Sequence, residues 1–200
     1  MDSERPAFRG LVAYRHLGLR FSFLYPSDWH RLDLDKAAGG GTVCYPDPAD
    51  RGTSLLAQGR RLRLRALPED LPQLRSGILE GLQALPGLEI ERETASVTGD
   101  LLDLQAHHSY RAGAETRKRW VRLLYQDRLQ ISISAEGSSP AAYDYWLPMF
   151  TTVMHTVRFG DWWAEATGTS WQRTVGPPGA RPSARPRARR AAPPEEGEPA

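Results

Sequence analysis

The segment Phe21-Ser-Phe-Leu-Tyr-Pro-Ser-Asp-Trp29 constrains the fold more than any other part of the chain. From residue 19 to 25, Leu19, Phe21, Phe23 and Tyr25 alternate with Arg20, Ser22 and Leu24. A period of two belongs to a strand, because successive side chains leave opposite faces, and a face this aromatic has to be buried. Pro26 stops the strand, since an imino nitrogen has no hydrogen for the ladder. Ser27 and Asp28 supply turn chemistry, and Trp29 is placed to fold back onto the sheet. Such a stretch launches a sheet without itself carrying a reaction.

Further strands are predicted over 12–14, 42–45, 54–58 and 60–67. In the last of these, Leu62, Leu64 and Ala66 face one way and Arg61, Arg63 and Arg65 the other. Pro68-Glu-Asp then starts a helix whose apolar stripe is Leu71, Leu74, Ile78, Leu82 and Leu85, ended by Pro86-Gly87. Four closely spaced runs over 89–99, 101–110, 116–125 and 129–136 read as an antiparallel meander. Gly99-Asp100, Ala112-Gly113-Ala114 and Gln126-Asp127 are its turns. Ser139-Pro140 opens a second helix with the stripe Ala142, Trp146, Met149, Phe150 and Val153, and Pro148 inside it predicts a kink or a break near Tyr145. Val157 and Phe159 close the domain. The fold class that follows is α+β: a single antiparallel β-sheet of about five to seven strands flanked by two main α-helices.

The organisation expected along the chain is a flexible N-terminus over 1–11, one domain over 12–159, a Trp-rich extension over 160–175 and a tail over 176–200. The tail is dense in Pro, Arg and Glu and has no large apolar residue, so it cannot offset its ordering entropy and is expected to be disordered. It carries five Arg and three Glu, which accounts for the whole net charge of +2 and leaves the rest of the chain neutral. A neutral body argues against a nucleic-acid-binding domain beyond weak contact through the Arg-rich tail, because phosphate neutralisation supplies most nonspecific affinity. The single Cys44 excludes a disulfide framework and a Cys-based metal cluster. No signal-like apolar segment opens the chain and no apolar run has the length of a membrane span, so a cytoplasmic location is expected.

His16, Gly18, Phe21, Phe23, Tyr25, Pro26, Trp29, Gly99, Arg119, Trp120, Tyr143, Phe150, Thr156 and Phe159 stand in an order that resembles the PsbP-like superfamily over about residues 12–159. The resemblance implies an antiparallel sheet flanked by helices. The family includes an extrinsic subunit of the photosynthetic oxygen-evolving complex, Ran-binding nuclear transport factors and bacterial adaptor chaperones of secretion effectors. It therefore implies binding rather than catalysis and does not by itself assign a role.

Each chemical temptation in the sequence has a plainer reading. His107 and His108 are neighbours in a strand, so their rings diverge, and nothing sits at a zinc-like offset from both. A lone Cys44 in a strand reads as a small buried hydrophobe. Gly39-Gly40-Gly41-Thr42 lacks the Lys and hydroxyl of a phosphate loop. Asp47 and Asp50 read as turn formers rather than calcium ligands. Arg61, Arg63 and Arg65, with Arg117, Lys118, Arg119 and Arg122, read as a solvated face balanced by Glu89, Glu91, Glu93 and Asp103 on adjacent strands. No catalytic residue, cofactor or metal site is expected. The feature left over is Trp162, Trp163 and Trp171, half of the six tryptophans, gathered after the domain. Burying one indole removes about 200 Å² from water, nominally about 5 kcal/mol. These three either pack back on the domain or bind a partner, and they are the partner-binding candidates. The chain thus reads as a non-catalytic adaptor-like module holding another protein. The alternative is a carrier of a small apolar ligand in a pocket between sheet and helix.

Overall fold

The computed structural model describes residues 6–35 and 40–160. The aromatic strand forms as its alternation requires: β1 (Leu11–His16) and β2 (Phe21–Pro26) make a hairpin, with Leu11 opposite Pro26 and His16 opposite Phe21. Phe21 and Phe23 are fully buried, and Trp29 folds back edge-on to Trp146 and Phe150 at 5.8 Å from each.

The sheet is not single, however. β1, β2 and the two-residue β9 (Arg158–Phe159) form a three-stranded sheet of their own. The second sheet has six strands in the order β3-β4-β5-β8-β7-β6. Its strands are β3 (His30–Leu34), β4 (Gly41–Tyr45), β5 (Ser54–Ala66), β6 (Glu89–Thr98), β7 (Leu101–Ala112) and β8 (Glu115–Gly137). The reason for the split lies in the edges of β2. One edge pairs with β1 and the other with β9, through Phe21 and Ser22. The Thr156 hydroxyl then takes the Leu24 N–H at 3.0 Å, so β2 has no edge left for β3. Periodicity identifies a buried face; it does not identify the neighbouring strand.

β8 is 23 residues of extended chain, yet it cannot be straight. Arg117 and Glu136 lie 19 residues apart in sequence and form an ion pair at 3.0 Å; a straight strand would hold them about 60 Å apart. The reversal is at Gln126-Asp127, where Asp127 has a left-handed φ of 51°. Residues before it pair with β7 and residues after it pair with β5. The expected hairpin turn is therefore present within one continuous extended run. At the far side of the sheet Gly41 is required: its φ is 148°, and a Cβ there would stand 2.3 Å from the Ala57 carbonyl oxygen.

The two faces of this sheet are covered unequally. One face meets α2 (Pro140–His155) and the small sheet, and holds the main core of Phe21, Phe23, Leu55, Ile131, Ile133, Tyr143, Phe150, Val153 and Met154. The Ser139 side chain caps α2 by accepting from the Ala142 N–H at 3.2 Å. The helix runs unbroken through Pro148 rather than ending near Tyr145, because Tyr143 before it and Met149, Phe150, Val153 and Met154 after it are buried in the same core. Arg122 pins the far end: its guanidinium bonds Asp103 at 2.6 Å and also donates to the Met154 carbonyl in the last turn. Among the described residues the other face meets α1 (Leu71–Gln83), over a much smaller core of Leu102, Leu104 and Tyr125.

Candidate functional site

α1 does not lie flat on its sheet. Of its apolar stripe only Leu82 is buried, while Leu71, Leu74 and Ile78 are half-buried. The strand beside it explains why. β5 pairs regularly with β8 from Ser54 to Arg61, then slips, and regains β8 only at Ala66 opposite Asp127. The four intervening residues bow out of the ladder, as an extra-residue bulge must, and carry Leu64 to 80% exposure. A groove of about 940 Å³ opens between this arm and α1. Leu62, Leu74, Ile78, Leu82, Leu123 and Tyr125 give it an apolar lining. Its rim is exposed and mostly polar: Arg60 just before the arm, Arg63 on it beside exposed Leu64, and Gln73, Ser76 and Glu80 on the helix.

The local chemistry holds the groove's walls in place. Asp70 at the start of α1 accepts from the Leu67 N–H at 2.8 Å. Arg75 grips Glu93 of β6 with two hydrogen bonds, at 2.5 and 2.8 Å, and so ties the helix to the sheet edge. In the floor Gln130 donates to the Tyr125 hydroxyl at 3.2 Å and accepts from Arg60. Gly77 and Gly81, one turn apart on α1, face the groove, and a Cβ at either would meet nothing within 4 Å. A smaller pocket of about 380 Å³, lined by Leu19, Leu67, Leu129 and Phe159 among others, lies at Gly160.

The residues singled out from the sequence fall into place as follows. Trp162, Trp163 and Trp171, with the rest of the Trp-rich extension from residue 161 on and the tail, lie outside the described residues. His107 and His108 point to opposite faces. His107 stacks on Trp120 at 4.4 Å under α2, near the Tyr143 hydroxyl, while His108 is fully buried on the α1 side, beside Tyr110. Burial holds the pKa of both rings below the ordinary histidine value. Cys44 is fully buried in the main core, and burial pushes its thiol up to about 12, so no thiolate is present near neutral pH. Asp47 and Asp50 are turn formers: Asp47 accepts from the Ala49 N–H at 2.7 Å, and Asp50 accepts from Thr53 at 2.6 Å and Ser138 at 2.8 Å. Among the described residues no three His, Cys, Asp or Glu side chains converge as a metal site would need.

The expected balance of charges is only partly right. Lys118 pairs with Glu91 and Arg122 with Asp103. The Arg-rich arm of β5 does not face the Glu-rich β6, however, because β8 and β7 lie between them. Arg65 pairs instead with Asp127, and Glu93 is taken by Arg75. Sequence reasoning placed Leu62, Leu74, Ile78 and Leu82 on apolar faces and did not single them out as a site. The signal that points to them is Gly77 and Gly81 inside a helical pattern, where each costs stability against alanine and needs a reason.

No family model matches the chain, and no curated protein matches it in sequence. Solved structures do resemble it. CyanoP, the cyanobacterial PsbP of Synechocystis sp. PCC 6803, superposes with a TM-score of 0.56 at 15% identity, over 76% of this chain and 94% of its own. LpqN of Mycobacterium tuberculosis, a protein involved in cell envelope biogenesis, gives 0.54 at 15% identity, over 76% of this chain and 91% of its own. The chain therefore has the PsbP-like fold. Identity this low speaks for the fold alone. Among the described residues no helix is long and apolar enough to cross a membrane.

Proposed function

We propose that this chain is a non-catalytic adaptor-like module that holds a segment of a partner protein in the groove between α1 and the β5 arm. The observation that carries the reading is the half-open helix, which leaves most of its apolar stripe short of burial beside a floor of Leu62, Leu123 and Tyr125. A trough open to solvent along its rim suits a length of chain, whose ends continue beyond the site. An enclosed cavity would suit a small apolar ligand better. The polar rim and apolar floor follow the usual anatomy of a protein-binding patch.

The test is a selection of displayed random peptides on the folded chain, followed by binding measurements with the Gly77→Trp variant. Peptides that bind the parent chain and lose at least tenfold in affinity for the variant, with the circular dichroism of the variant unchanged, would support the reading. Selected peptides that bind both equally, or no enrichment at all, would refute it.

A further inference from the structure

The α1 side of the large sheet carries a second polar feature, four residues along β8 from the groove floor. Arg117 and Arg119 stand two apart on one strand face and share a single carboxylate, Glu136. Glu136 is saturated by them and by Tyr110. The Tyr110 hydroxyl and Arg117 Nη1 each donate to Oε1 at 3.0 Å, and Arg119 Nε donates to Oε2 at 2.6 Å. Arg119 also donates to the Tyr110 oxygen at 2.6 Å and lies over the Tyr110 ring at 4.8 Å. Both guanidiniums are thus fixed in place at little further entropic cost.

The charge does not close. Two guanidiniums against one carboxylate leave a surplus of one positive charge. Glu115 acts on Arg117 through space without forming an ion pair among the described residues. Donors are in surplus as well. Two guanidiniums present ten N–H groups, and a single carboxylate with one hydroxyl oxygen engages a minority of them. Arg117 Nε is buried and makes no hydrogen bond among the described residues. The cluster nevertheless reaches solvent, with the Arg117 and Arg119 side chains 30% and 27% exposed.

We propose that Arg117 and Arg119, positioned by Glu136 and Tyr110, form a receptor for an oxyanion, a carboxylate or phosphate group carried by a ligand on this face of the sheet. Planar guanidiniums held side by side match the geometry of such groups, and the surplus charge favours an anionic occupant. Leu123 lies about 13 Å along the same strand face from Arg119, so a ligand with an anionic end could run from this site into the groove. The oxyanion site stands on its own geometry and does not depend on the groove being occupied.

The experiment is a titration of the full chain with sodium phosphate and, separately, sodium acetate, at constant ionic strength. The readout is the arginine Nε–Hε signals in a proton–nitrogen correlation spectrum. Saturable shifts confined to Arg117 and Arg119 support the site, and the better titrant assigns phosphate or carboxylate. Arg119→Gln is expected to weaken binding of the same anion at least tenfold. Non-saturating shifts, shifts shared with exposed Arg63, or unchanged saturation in Arg119→Gln would overturn the proposal. The wild-type spectrum alone decides the matter if a variant fails to fold.

Discussion

Replacing Gly77 and Gly81 by alanine is expected to stabilise the chain while weakening groove binding. A glycine in a helix interior costs about 0.8–1 kcal/mol against alanine. Gly77 lies in the middle of α1 and should return that full amount. Gly81 is in the last turn, which ends at Gln83, and should return about half. The structure subtracts nothing from these gains, since neither new methyl meets an atom within 4 Å. The double variant should therefore gain about 1.2–1.5 kcal/mol, or about 2–6 °C in Tm for a domain of this size. Scanning calorimetry of the parent and variant chains measures it directly. A Tm that stays level or falls would mean that the two methyls meet something in solution, and the view of α1 as an open wall would fail. In the same variant, peptides selected on the groove should bind more weakly, because the methyls occupy space into which a backbone would pack. A gain in stability coupled to a loss in affinity is the pattern expected of residues kept for binding rather than folding.

Three further outcomes test the rest of the structure. Asp103→Ala should cost about 2–4 kcal/mol in urea unfolding, because it strands the largely buried Arg122 guanidinium that also holds the end of α2; a loss below about 1 kcal/mol would show that the pair does not anchor the helix. His108→Leu should stabilise the chain by about 1 kcal/mol at pH 6, since it removes a fully buried imidazole whose ring nitrogens have no partner beyond the Ala106 backbone among the described residues. It should also flatten the fall in Tm between pH 7 and 5: burial lowers the folded-state pKa of this base, so the unfolded chain binds the proton more readily and acid destabilises the parent. Asp50 is partly desolvated, but hydrogen bonds from Thr53, Ser138 and the backbone outweigh this and hold its carboxyl below the ordinary value. Its contribution is present above the unfolded pKa of about 3.9 and lost as pH falls through the folded one. Asp50→Ala should accordingly lower Tm at pH 6 and show a shallower acid decline than the parent below pH 4.

Much of the fold was legible because it rests on local rules. The aromatic alternation and Pro26 set β2, Gln126-Asp127 marked the reversal inside β8, and Ser139-Pro140 fixed the start of α2. What the sequence did not show is what depends on pairing between distant segments. β2 is claimed by β9 from the other end of the domain, a partnership of two residue pairs that no periodicity announces. Glu136 is tied to Arg117 and Arg119, 19 and 17 residues earlier, only because the chain folds back between them. The groove is the sharpest case. Leu62 and Leu64 have a regular strand pattern, and α1 has a regular apolar stripe, so each element looks as though it should close on a core. The gap between them comes from a slip in register between Arg61 and Ala66, set by where Ala66 meets Asp127 just past the turn. A local pattern states which face of an element is apolar. Whether that face ends up filled is decided by the lengths of chain between pairing points, and here four residues on β5 stand against one on β8. The excess has to leave the sheet, and among the described residues the wall it makes leaves α1 half-covered.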